Sequence, residues 1–184
     1  MESKVKDDGA AQHADELFDV VDQHDRVTGQ ARRADVHAQK LWHRAIHVLV
    51  FDRTGRVFLQ RRSMAKDIAP GRWDSSCSGH LDAGEDYDAA AVRELEEEIG
   101  LERASAPTRW LRLDACAQTG WEFVWVYRLE HEGPFRLHPA EIMDGAWYEP
   151  ALLDQALRER PDDFAGAFRY LWERLEEKRK HCAR

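Results

Sequence analysis

A chain of 184 residues with 27 basic and 35 acidic side chains, and hence a net charge of −8, has room for one domain with a sizeable core but not comfortably for two. The acidic balance argues against a broad surface for nucleic acid, and no apolar run approaches the ~18 residues of a membrane-spanning helix. Cys77, Cys116 and Cys182, odd in number and scattered, predict free thiols in a reducing cytoplasm, and the polar, acidic start does not read as a signal peptide.

Residues 1–15 are polar and small, without periodicity, and are expected to form a mobile tail ahead of a domain over 16–184. From Glu16 the text ELFDVVDQHDRVTGQARRADVH alternates short apolar runs with turn residues and predicts a β-hairpin. Its free edge is expected to offer pairing across a two-fold axis in a homodimer. Two β-rich stretches, Ala45 to Phe51 and Val57 to Gln60, flank a turn at Asp52 to Gly55. Pro70, Gly71 and Trp73 predict a rigid turn with a buried aromatic ring. Trp110 to Ala117, Glu122 to Leu129 and Gly145 to Tyr148 read as further strands, and Glu149 and Pro150 open a helix. Phe164, Phe168, Leu171, Trp172 and Leu175 recur at helical spacing, as in an amphipathic helix against the outside of a sheet. Trp121, Trp125, Trp147 and Phe164 either line a pocket or, more usually, fill the core.

The most informative segment is GHLDAGEDYDAAAVRELEEEIGL, Gly79 to Leu101. On a helix, Glu94, Glu97 and Glu98 stand at i, i+3 and i+4 and project from one face. Like charges so close repel, and oxygen-only ligands suit a hard divalent ion such as Mg²⁺ or Mn²⁺. Gly79 and Gly84 bracket a loop that must turn tightly or approach a ligand. Glu85 and Arg93 are near enough across the loop-to-helix turn for a carboxylate–guanidinium pair, and Gly100 is placed to end the helix in a left-handed cap.

Every fixed position of this segment resembles the signature box of the Nudix hydrolases. The resemblance implies an α/β fold, a mixed β-sheet sandwiched between α-helices, and Mg²⁺-dependent cleavage of a diphosphate linked to another group. It implies Glu94, Glu97 and Glu98 as metal ligands, the Gly79 carbonyl as a further ligand, and Glu85 with Arg93 as a structural pair. Glu94 or Glu98 would be the base, with Glu122 as the strand alternative. Upstream, Arg62 and Lys66 are expected on the diphosphate oxygens of a small-molecule substrate, since an anion beside a carboxylate-held metal needs balancing cations.

A narrower resemblance is to the isopentenyl diphosphate isomerases, which share an arginine and a lysine before a PGxW turn, a GH opening the box and a glutamate in a later strand. That family binds a second divalent metal through histidines and glutamates, which would make His80 and Glu122 metal ligands, with His37 and His43 in the region supplying further histidines. His47, within a strand, reads as structural. Two departures favour hydrolysis. The isomerase cysteine position holds Ser78, and Cys77, one residue earlier, should face the core. The box, eroded in isomerases, is intact here. Hydrolysis of a small organic or nucleoside diphosphate derivative is therefore expected, with isomerisation or binding without turnover as alternatives.

Overall fold

The computed structural model describes residues 14–182; most of the expected tail, residues 1–13, lies outside them, as does the side chain of Cys182. Nine strands and four helices follow one another as β1 (Leu17–Val21), β2 (Val27–Arg32), α1 (Arg33–Gln39), β3 (His43–Phe51), β4 (Val57–Arg62), β5 (Trp73–Asp74), β6 (Cys77–His80), α2 (Tyr87–Ile99), β7 (Thr108–Leu113), β8 (Glu122–Glu130), β9 (Ile142–Tyr148), α3 (Pro150–Glu159) and α4 (Gly166–Cys182). Strands β1 and β2 form a separate hairpin, and the other seven form one sheet along the path β5-β4-β3-β8-β7, with β6 added to β3 and β9 to β4.

Strand β3 organises that sheet. Its run AIHVLVF is buried throughout, as a central strand covered on both faces must be. It pairs in parallel with β8 from His43 against Glu122 to Phe51 against Glu130, while its neighbours are antiparallel, so the sheet is mixed. Alternation along β3 sends Ala45, Leu49 and Phe51 into one core with Leu153 of α3 and Phe168, Leu171 and Trp172 of α4. It sends Ile46, Val48 and Val50 into a second core with Ala90, Ala91, Leu95 and Ile99 of α2. The expected sandwich of helices around a mixed sheet is thus present, and truncating fully buried Leu95 to alanine should cost about 2–5 kcal/mol.

Helix α2 has the ends its sequence calls for. The Asp86 carboxylate accepts from the Ala89 amide, and Gly100 (φ +68°) closes the helix while its amide and that of Leu101 reach the Glu96 and Leu95 carbonyls. The hairpin expected from Glu16 ends sooner than its text suggests, because RADVHAQ is helical: Arg33 and Val36 are buried, and Lys40 ends α1 in a left-handed conformation. Asp25 (φ +62°) anchors the hairpin tip. Its carboxylate accepts from Arg44 Nε at 2.6 Å, the Tyr87 hydroxyl at 2.9 Å and Arg112 at 3.4 Å. Between β4 and β6, which both border β3, the chain forms the short strand β5, which no apolar alternation announced.

Candidate active site

Strand β6 places two kinds of chemistry back to back. Its period of two turns Cys77 and Gly79 toward α2, and Ser78 and His80 toward the opposite face. Cys77 is fully buried against α2, as its position one residue before Ser78 predicts, and burial pushes its thiol well above the usual range. A Cβ on Gly79 would collide with the Glu94 carboxylate, so only glycine lets the backbone come this close to the acidic face.

Arg93 binds the loop and the helix face together. It donates from Nε and Nη2 to the two oxygens of Glu85 at 2.9 and 2.8 Å, from Nη2 to the His80 carbonyl at 3.0 Å, and from Nη1 to Glu94 at 2.6 Å and Glu97 at 3.1 Å. Burial raises the Glu94 carboxyl to about 8, opposed by Arg93 and reinforced by Glu98 and Glu97. Buried Glu98 accepts from the Ser78 amide at 3.0 Å and from Gln60 Nε2 at 3.1 Å. This oxygen-rich, mutually repelling donor set fits a hard divalent cation.

On the other face a second constellation gathers from four elements. Histidines 37, 43 and 80 lie with their nearest ligand atoms within 4.8 Å of one another. His43 faces Glu122 across the β3–β8 register. His43 Nδ1–H donates to the Leu41 carbonyl at 2.9 Å, and its Nε2 stands 3.5 Å from a Glu122 oxygen. His43 Nε2 and His37 Nε2 are buried without a hydrogen-bond partner. Arg33 donates to His80 Nδ1 at 3.2 Å, leaving His80 Nε2–H to donate to Glu122 at 2.9 Å. Burial pulls the His80 imidazole down to about 3 against the pull of Glu122. Against burial, which would raise it, His43 and His80 hold the Glu122 carboxyl well below the usual range. Two orphaned imidazole nitrogens in a cluster beside a carboxylate fit a borderline cation such as Zn²⁺.

Glu94, Glu97 and Glu98 of the first constellation and Arg33, His80 and Glu122 of the second line one cavity of about 160 Å³, whose wall also includes Arg62, Lys66 and Glu141. Arg62 is tied to Asp74 at 3.1 Å and to the Ile68 carbonyl at 2.9 Å. Lys66 is bonded to Glu141 and lies 3.8 Å from Glu98; burial lowers its ammonium pKa, with Glu98 opposing. Glu141 and Arg33 escaped the sequence reasoning. Glu141 lies four residues ahead of the strand expected from Gly145, whereas β9 starts at Ile142, directly after it; Arg33 lay in text taken as hairpin. Trp121, Trp125, Trp147 and Phe164 are all absent from the cavity wall. Trp147 packs on Phe58 and Phe135, and Phe164 lies in the core beside α4. No helix among the described residues is long and apolar enough to cross a membrane.

The fold and box are matched by known proteins. A model of the NUDIX domain matches residues 41–168. An uncharacterized Nudix hydrolase of Streptomyces coelicolor is 42% identical over 125 residues, 66% of this chain and 69% of the relative. Isopentenyl-diphosphate Delta-isomerase 2 of Photorhabdus laumondii is 31% identical over 166 residues, covering 84% and 89%. The crystal structure of DR0079 from Deinococcus radiodurans superposes with a TM-score of 0.74 at 27% identity, covering 86% of this chain and 98% of that one. Matched by the family model over most of its length, and with an unbroken carboxylate box on α2, the chain belongs to the Nudix family.

Proposed function

We propose that the protein hydrolyses a phosphoanhydride bond in a small organic or nucleoside diphosphate derivative, with Mg²⁺, or Mn²⁺ in its place, held by Glu94, Glu97, Glu98 and the Gly79 carbonyl. The observation that carries this is the placement of all three box carboxylates on the wall of one cavity with Lys66. When bound, the divalent ion supplies charge neutralisation to the diphosphate and acidifies water. Glu98 or Glu94 takes the proton of the attacking water as its oxygen bonds to phosphorus, and the bridging P–O bond breaks toward the leaving group. Glu122 is the alternative base. Lys66, with the edge of Arg62, offsets charge on the phosphate oxygens. Arg93 positions Glu94 and Glu97, and its Glu85 pair holds the loop over them.

Phosphate release from a panel of nucleoside and alkyl diphosphates tests the reading: Glu97→Gln and Glu98→Gln should each lose on the order of 10²-fold or more in turnover. Near-normal rates in both variants would sink it, and tight binding with no product over hours would favour a binding module. The histidine cluster supports a second divalent ion on His37, His43, His80 and Glu122, and through it the isomerase reading. Against isomerisation stands Ser78 on the cavity wall, with Cys77 turned into the α2 core. Deuterium entering dimethylallyl diphosphate from D₂O, without phosphate release, would reverse the choice. Strand β2, exposed along most of its length, is the edge for self-pairing, which sedimentation would detect as a dimer.

A further inference from the structure

One part of the cavity wall is unused by this chemistry. His47 and Ser78 are directly opposed across the antiparallel β3–β6 pair, so their side chains share a face, and both line the cavity. His47 is 6% exposed. Its Nδ1 lies 2.7 Å from Ser75 Oγ and 3.9 Å from an oxygen of Asp74, and Ser75 Oγ has two further acceptors beside it, Asp74 Oδ1 at 3.4 Å and the Cys77 carbonyl at 3.3 Å. A nitrogen set among oxygens, one of them a carboxylate's, carries its proton, so Nδ1–H donates and Nε2 is left as an acceptor. Asp74 is in turn held by Arg62 at 3.1 Å. The ring is therefore fixed from behind by a buried chain, and its acceptor edge has no protein partner among the described residues. The Ser78 hydroxyl likewise has none; only its amide is used, by Glu98.

Two neighbouring, unpartnered polar groups on a largely buried wall call for a ligand that satisfies them. The cavity, at about 160 Å³, is small beside the ~300–1,000 Å³ of sites for drug-sized ligands. The one benzenoid ring on its wall among the described residues, Phe18, is already stacked on His80 at 4.7 Å and on His43 at 5.9 Å, so no phenyl, phenol or indole ring is left to stack a nucleobase. Ala45, Ala165 and Ala167 add only short side chains nearby. We propose that His47 and Ser78 form a specificity subsite that hydrogen-bonds a hydroxyl group on the organic part of the substrate, so the preferred class is a small hydroxylated diphosphate, not a hydrocarbon one. The proposal rests on the diphosphate reading above. An alkyl group here leaves both polar groups unpaired, which is the condition under which a site rejects an analogue lacking a hydroxyl.

The test uses a matched pair, 2,3-dihydroxypropyl diphosphate and propyl diphosphate, with Mg²⁺. Calorimetry reads binding and a parallel assay reads phosphate release, for wild type, His47→Leu and Ser78→Ala, with melting curves confirming that each variant folds. Wild type should bind the hydroxylated probe about ten- to a hundredfold more tightly. His47→Leu should abolish that preference and Ser78→Ala reduce it, through loss of affinity for the hydroxylated probe alone. Equal affinity of wild type for the two probes, or equal losses for both in folded variants, overturns the proposal. A preference without phosphate release from either probe supports the subsite while refuting hydrolysis; release from both without a preference does the reverse.

Discussion

Gly79→Ala gives a sharp test of how the acidic face is built. The added Cβ falls on the Glu94 carboxylate, and restoring ordinary contact at ~3.5 Å requires that carboxylate to withdraw by about 1.4 Å. The obstructed group is the far end of a flexible side chain, so the carboxylate can yield while the surrounding strand and helix stay in place. A displacement of that size at a reacting centre costs on the order of 10²-fold in kcat/KM, or about 2.7 kcal/mol of transition-state stabilisation. The assay is steady-state phosphate release from whichever diphosphate the panel selects, with a melting curve on the same sample. Gly79→Ala with Glu94→Asp, which withdraws the carboxylate by one methylene, should be less impaired than the product of the single losses, because the two changes meet at one contact. A Gly79→Ala enzyme with normal turnover, or a double variant whose losses simply multiply, would refute the reasoning.

Asp25→Ala removes the anchor shared by Arg44, Tyr87 and Arg112 and should lower stability by about 2–3 kcal/mol in urea unfolding, with faster amide exchange in β1 and β2. At the β3–β4 turn, Asp52 is held down to about 2 by hydrogen bonds from Thr54 and Arg56, which outweigh its desolvation. A carboxyl depressed in the folded state stabilises fully above its unfolded pKa and loses that contribution as pH falls through its folded pKa. Wild type should therefore lose stability more steeply than Asp52→Asn between about pH 4 and pH 2 in acid melts. Elemental analysis after dialysis against Zn²⁺ or Mn²⁺ should find less metal on His43→Ala than on wild type; equal content would remove the histidine cluster from metal binding.

Local rules reached far where the physics is local. The cap at Asp86, the close at Gly100 and the shared face of Glu94, Glu97 and Glu98 are helix properties, and Cys77 turned inward because a strand has period two. Helix α1 did not announce itself: RADVHAQ has few apolar residues and no side-chain N-cap, and burial of Arg33 and Val36 against the rest of the protein accompanies its helicity. Strands β5 and β6, two and four residues long, exist by pairing with β4 and β3, which is long-range information. His47 read as structural for the same cause, since only the β3–β6 register reveals that it stands opposite Ser78 on the cavity wall.

Phe18, Arg33 and His37 all precede Leu41, where the match to the NUDIX domain model begins, whereas His43, His80, Glu122 and the whole acidic box follow it. The histidine cluster is therefore assembled from both sides of that boundary, whereas every carboxylate of the acidic face follows it. Residues ahead of the boundary still reach the acidic side, because the Asp19 carboxylate accepts from the Gly84 amide and the Leu17 carbonyl from that of Ala83. Changes confined to the first forty residues can thus delete an imidazole, a guanidinium and a stacking ring from one constellation and, through two hydrogen bonds, loosen the loop that leads into the other.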